Sequence, residues 1–206
     1  MNKLNVGNGH ITVSGQTQYG KSHFVKTALF PNYPKAVFYD LKHDPNHADM
    51  RRKYAVIKSI NKLDKFFKKG GTHCIYQPPY LGYNEAIEHF DSVCSYIFRS
   101  GNIALFNDEA AGVTRSNRIG NYFFILMTQG LSRGCNVVNI TQRPTACHNV
   151  ILSQSEYFIF FRHSIKSDRD KLAGMVGEEV ADNLQSLEKY HFTFIYPNGD
   201  IITGML

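Results

Sequence analysis

Eight residues constrain this chain more than anything else in it: Gly15-Gln16-Thr17-Gln18-Tyr19-Gly20-Lys21-Ser22. They follow the apolar run Ile11-Thr12-Val13 and lead into a stretch where Phe24, Val25, Ala28 and Leu29 recur at helical spacing. Strand, tight glycine turn and helix start are the setting in which G-x-x-x-x-G-K-S cradles phosphate. The turn amides and the positive helix end face the anion. Lys21 then reaches the terminal phosphates and the Ser22 hydroxyl ligates magnesium. The expected nucleotide-binding set is Gly15, Gln16, Thr17, Gln18, Tyr19, Gly20, Lys21, Ser22 and the adjoining His23. An ordinary glycine turn would leave unexplained why lysine and serine both sit at the helix opening.

Downstream, short apolar runs alternate with longer helical patterns. Strands are expected at 36–39, 55–57, 73–76, 103–106, 137–141 and 157–161, and helices from residue 59, at 84–99 and at 119–131. Residues 41–52 read as a loop or short irregular helix, and two short helices are expected at 169–175 and 178–187. The tail reads as a hairpin within 190–204, turning at Pro197-Asn198-Gly199-Asp200. Such alternation means an α/β fold: a mostly parallel sheet flanked by helices, with an antiparallel C-terminal hairpin at one edge. A length of 206 residues fits a single domain over 1–206, since domains of this class run to ~100–200 residues or somewhat more.

Composition excludes several classes. Hydrophobic residues make up 43% of the chain and prolines number seven, which argues against disorder. No run approaches the ~18 apolar residues of a membrane span, and residues 1–10 lack the apolar region of a signal peptide. An intracellular protein without membrane insertion is expected. Cys74, Cys94, Cys135 and Cys147 form no C-x-x-C and read as buried thiols. The net charge of +6 is concentrated: residues 42–69 hold nine lysines and arginines against three aspartates. A local basic field beside a phosphate site suggests a polyanion, most simply nucleic acid, with a solvated face as the alternative.

Ligands in open parallel sheets bind beyond the carboxyl ends of strands. The strand ends at Gly15, Asp40, Asp108 and Gln142 are therefore expected to converge. Leu105-Phe106-Asn107-Asp108-Glu109 is an apolar strand ending in two acids. Asp108 suits magnesium, leaving Glu109 to orient and polarise an attacking water. Gln142 can hydrogen-bond that water and the terminal phosphate. Asp40 joins the nucleotide-binding set, with Lys42 placed to report nucleotide state.

These elements together resemble the FtsK–HerA superfamily of DNA-pumping ATPases. The resemblance runs through Gly15 to Ser22, Tyr39-Asp40-Leu41-Lys42, Leu105 to Glu109, and above all Gly134-Cys135-Asn136-Val137-Val138-Asn139-Ile140-Thr141-Gln142-Arg143-Pro144. In size and in the lack of appended domains the chain is similar to genome-packaging ATPases of turreted, tailless icosahedral archaeal viruses. The resemblance implies a P-loop NTPase of the additional-strand (RecA-like) type, with ATP and Mg2+ as cofactors. It implies a ring, commonly of six copies, around sequence-nonspecific double-stranded DNA. Capsid or portal-vertex partners follow, in the host cytoplasm or at the virion. It also implies an arginine supplied across the subunit boundary. Arg133 matches that location best, with Arg118, Arg143 and Arg115 behind it. DNA-gripping candidates are Lys166, Arg169 and Lys171, then Arg115 and Arg118, or the cluster Arg51-Arg52-Lys53; Lys62, Lys65, Lys68 and Lys69 read as a solvated helix face. Two other classes stay open: a small-molecule P-loop kinase, and a nucleotide-gated assembly protein with negligible turnover.

Overall fold

A computed structural model describes residues 6–206. Residues 1–5, part of the segment read as lacking a signal sequence, lie outside the described residues. The chain opens with β1 (Ile11–Ser14) and the glycine turn, then α1 (Lys21–Phe24), which widens into a π-helical turn over Val25–Leu29. There follow β2 (Ala36–Tyr39), α2 (Ala48–Lys53), β3 (Ala55–Ile57), α3 (Ile60–Lys68), β4 (His73–Tyr76), α4 (Tyr83–Ser100) and β5 (Ala104–Asn107). The second half holds α5 (Ala110–Val113), α6 (Asn121–Gln129), β6 (Val137–Thr141), α7 (Asn149–Ser153), β7 (Tyr157–Phe160), α8 (Lys166–Val176), α9 (Glu178–Asn183), β8 (His191–Ile195) and β9 (Ile201–Met205).

The strands form one sheet in the order β3-β4-β2-β5-β6-β1-β7-β8-β9, parallel through β7 and antiparallel for the last two. This is the expected α/β architecture with its edge hairpin. α2, left between loop and helix by the sequence, is a short helix, and α5 and α7 were not anticipated.

Side chains alternate across each strand, which divides the core in two. In β2, Ala36 and Phe38 join β1 residues Ile11 and Val13 beneath Phe24 and Val25 of the P-loop helix. Val37 and Tyr39 point the other way, into a layer closed by α4 and α6 through Phe90, Val93, Phe123 and Leu126. A third cluster under α8 and α9 gathers Phe158, Phe160, Leu172 and Leu184. All four cysteines are buried and free, as expected.

Two buried histidines lock strand ends and have a measurable consequence. His10 Nδ1 accepts from the Val137 amide at 3.0 Å, and His163 Nε2 lies 2.9 Å from Ser14 Oγ. Burial pushes both down to about 4, with Asp168 opposing the shift at His163 and Lys21 adding to it. The unfolded chain takes up these protons near pH 6.5 while the folded chain refuses them until about pH 4. Stability is therefore intact above pH 6.5 and falls as the pH drops toward 4, by about 3 kcal/mol per histidine. Urea unfolding of wild type and His10→Gln at pH 7 and pH 5 should show a shallower loss in the variant. Equal losses would overturn the assignment to His10.

Candidate nucleotide-binding site

β1 delivers the glycine loop to the carboxyl edge of the sheet. Gly15 and Gly20 adopt φ values of 149° and 110°, a region that favours glycine. Space imposes the same choice. A Cβ on Gly15 would stand 2.6 Å from the Phe161 Cβ, and one on Gly20 would stand 2.6 Å from Leu206 Cδ1 and 3.2 Å from Phe161 Cε1.

β5, β6 and β1 are neighbours and run parallel, so their carboxyl ends reach the loop together. A cleft of about 460 Å³ opens there, and Lys21, Ser22, Asp108, Glu109 and Gln142 all line it. Thr17, Gln18, Gly20, His23 and Lys42 complete the part of this wall that the sequence anticipated. Gln16 lies across the loop in a smaller pocket beside Arg143. Tyr19 turns away, its hydroxyl accepting from Arg162 Nη1 at 3.0 Å.

Several polar groups in the cleft are held by local partners. Lys21 Nζ donates to the Gln16 carbonyl at 2.8 Å, and Thr17 Oγ1 donates to Gln142 Oε1 at 2.6 Å. Glu109 forms an ion pair with Lys42. Burial lowers the Lys21 amine to about 8, against the pull of Glu109 and Asp108. Burial lifts Asp108 to about 6; His47 opposes this, while Asp40 and Glu109 reinforce it. The Asp108 side chain is only 9% exposed, and among the described residues its carboxylate accepts no hydrogen bond.

Asp40 departs from expectation. It is wholly buried and does not line the cleft. Its carboxylate accepts from Arg51 Nη1 at 3.0 Å, Gln77 Nε2 at 2.8 Å and the Asp44 amide at 3.1 Å. Burial alone would raise this carboxyl; His47, Gln77 and the Asp44 amide outweigh it and hold the group below the ordinary value. Asp40 thus anchors the segment 41–52.

His47 was not anticipated. It is fully buried between two acids, Nδ1 at 3.4 Å from Asp40 and Nε2 at 3.6 Å from Asp108. Burial favours the neutral ring, but Asp40 and Asp108 prevail and raise its pKa. A histidine in a polar, proline-containing loop carries no periodic signal. Lys189 and Tyr190, also on the cleft wall, were missed because they belong to the turn before the terminal hairpin.

The arginines divide by their position on the sheet. Arg133 precedes β6 and lies at the opposite end from the cleft. Its guanidinium donates to the Phe98 and Arg99 carbonyls at 2.6 and 3.1 Å, in the last turn of α4. Arg115 covers the Tyr83 ring at 3.8 Å, and Arg118 donates to Asn84 at 2.6 Å on the carboxyl-edge turn after α5. Arg143 Nε is bound to Asp168 at 2.7 Å. Arg169, expected as a DNA-gripping residue, is buried and donates to the His163 and Ser164 carbonyls. Lys171 donates to the Cys147 carbonyl at 3.1 Å.

No family model and no curated protein matches this chain. Solved structures do. The genome packaging NTPase B204 from Sulfolobus turreted icosahedral virus 2, in complex with AMP, aligns with a TM-score of 0.78 at 14% identity, over 96% of this chain and 98% of that one. B204, the DNA-packaging ATPase from Sulfolobus Turreted Icosahedral Virus, gives 0.75 at 13% identity over 95% and 96%. The plasmid coupling protein TrwB in complex with the GTP analogue GDPNP gives 0.64 at 11% identity over 96% and 85%. The chain shares the RecA-like P-loop fold of these proteins.

Removing one partner from a buried charge network costs about 3–5 kcal/mol. Asp40→Ala should therefore lower the unfolding free energy by about that amount, read by urea titration. A loss below about 1 kcal/mol with weakened nucleotide binding would restore Asp40 to the ligand set.

Proposed function

We propose that this chain is an ATPase that couples hydrolysis to the movement of double-stranded DNA, packaging a viral genome into a preformed capsid. The observation that carries the reading is the convergence of one loop and two strand ends on a single cleft: Lys21 and Ser22, Asp108 and Glu109, and Gln142. The near-complete overlap with packaging ATPases at high TM-score supports the choice of DNA over a small acceptor.

The residues fit a magnesium ion. Asp108 is a shielded carboxylate with no hydrogen-bond donor of its own among the described residues, and it shares the cleft with the Ser22 hydroxyl. Hard oxygen donors with room for water suit Mg2+. Ser22 and Asp108 would hold the ion, which supplies charge neutralisation to the β- and γ-phosphates. The protein's own groups do the rest. Lys21 leaves the Gln16 carbonyl for phosphate oxygens, and the loop amides hold the anion. Glu109, released from Lys42, orients and polarises water for in-line attack. Gln142 exchanges Thr17 for the water and the terminal phosphate, so that occupancy of the site is felt at β6.

The functional unit in this proposal is a ring of identical domains, commonly six, with a trans arginine completing each site. Arg118 is the candidate carried forward, because it stands at the cleft's edge of the sheet, is about half exposed, and among the described residues its guanidinium is held by Asn84 and Glu88 alone. Arg133 is committed to capping α4. DNA contact falls to the basic edge of β3 and α3, where Arg52, Lys53, Lys58, Lys62, Lys65 and Lys69 are exposed. Three other charges of that segment are taken up: Lys42 by Glu109, Arg51 by Asp40, and Lys68 by Asp64. Among the described residues no helix is long and apolar enough to cross a membrane. Host cytoplasm or a procapsid vertex is the proposed setting.

Two measurements test this. ATPase rate should rise with duplex DNA and fall by about 10²-fold or more in Glu109→Gln, with ATP binding retained; unimpaired turnover would remove Glu109 from the chemistry, and indifference to DNA would favour a kinase. DNA affinity should fall with salt, and the double substitution Lys62→Ala, Lys65→Ala should reduce the log–log salt slope by about 2. An unchanged slope would move the DNA path elsewhere.

A further inference from the structure

We propose that Tyr190 is the nucleobase platform of this site, taking the base of a nucleoside triphosphate by stacking. The inference rests on the nucleotide reading above and deepens it.

The phosphate end of the cleft is defined by Lys21, Ser22, Asp108 and Glu109, which leaves the question of what receives the other end of the nucleotide. Across Gly20 the wall is made by Lys189 and Tyr190. The Tyr190 Cδ1 lies 3.2 Å from the point a Gly20 Cβ would occupy, so the ring stands against the loop itself. Most large aromatic residues of this chain are packed into the core, yet Tyr190 is 45% exposed. The remaining wall near Lys26, Asp44 and Asn46 is polar and offers no flat apolar surface. His23 supplies the one other ring among the described cleft residues.

The backbone says the position is deliberate. Tyr190 has φ 69°, an unusual conformation for a bulky residue that persists only where its surroundings hold it. They do so on both sides: its amide donates to the Tyr19 carbonyl at 3.2 Å, and its carbonyl accepts from the Leu206 amide at 3.0 Å. One anchor is therefore the P-loop and the other the end of the β8–β9 hairpin. This explains why the terminal hairpin belongs to the catalytic domain: it fixes an aromatic ring beside the glycine turn. The Lys189 ammonium, 5.1 Å from the ring centroid, adds positive charge at the same wall.

Stacking of a base on an aromatic side chain is worth about 5–150-fold in affinity by alanine substitution. The test compares ATP with inorganic tripolyphosphate, which carries the phosphates without the base. Binding of each to the full chain is measured by calorimetry in wild type, Tyr190→Ala and Tyr190→Phe. Tyr190→Ala should weaken ATP about tenfold and leave tripolyphosphate within about twofold, while Tyr190→Phe should match wild type. Retained tripolyphosphate binding also shows that the variant is folded. Equal weakening of both ligands, or of neither, would overturn the platform while leaving the phosphate site intact. Failure of wild type to bind either ligand would instead overturn the nucleotide reading, and the platform with it.

Discussion

The contact on which the site depends is Phe161 pressed against the glycine turn. Both glycines of the loop meet this one residue, Gly15 through its Cβ and backbone and Gly20 through its ring. Phe161 is fully buried, and its ring is braced by Phe24 of α1 at 6.1 Å and Phe192 of β8 at 6.0 Å. A side chain at either glycine would have to displace a residue wedged between helix and sheet, and packed interiors do not yield cheaply. The loop is thus shaped from below by β7 as well as by its own sequence. Its amides can face an anion because the turn has no freedom to collapse inward.

Strand order then decides which chemistry the loop meets. β1 lies between β6 and β7, and β5 is the next strand beyond β6. The acids after β5 and the glutamine after β6 arrive from one side, and the hairpin arrives from the other through Tyr190. Inserting β6 between β5 and β1 separates the double acid from the loop by one strand, leaving space between them. That space holds opposed charges in contact: Lys42 with Glu109, and His47 between Asp40 and Asp108. Lys21, Gln142 and Glu109 each have a protein partner here, so any ligand entering the cleft would have to displace one.

Much of this was legible in the sequence. The loop, the double acid and the Thr-Gln-Arg-Pro strand end each carry a local signature, and parallel strands bring such ends together by construction. The alternating pattern also gave the sheet and its antiparallel edge. Two kinds of residue escaped. Asp40 ends a strand as Asp108 does, yet it is buried under Arg51 and Gln77, residues 11 and 37 positions away. Strand-end position fixes the height of a side chain on the sheet but not the groups that reach it from later elements. His47 and Tyr190 lie in irregular segments, where burial and exposure follow from tertiary closure and no periodicity reports them.

Arg133 shows why the two edges of a parallel sheet must be kept apart in such reasoning. Near β6 in sequence, it belongs to the amino edge, where polar groups are spent on joining elements. Asn136 donates to the Gly9 carbonyl at 3.1 Å, Val137 donates to His10 at 3.0 Å, and Arg133 closes the end of α4. Cations at a helix C-terminus satisfy its last carbonyls and oppose its dipole, so the guanidinium is already well placed where it is. At the open cleft of the carboxyl edge, by contrast, Lys42 is paired with Glu109 and Thr17 with Gln142, side chain to side chain. The distinction is physical: a group whose partner is backbone in a neighbouring element stabilises the fold, and a group whose partner is another mobile side chain at an open cleft is free to exchange it. By that criterion Lys42, Glu109 and Gln142 are placed to exchange partners, and Arg133 is suited to holding the scaffold still.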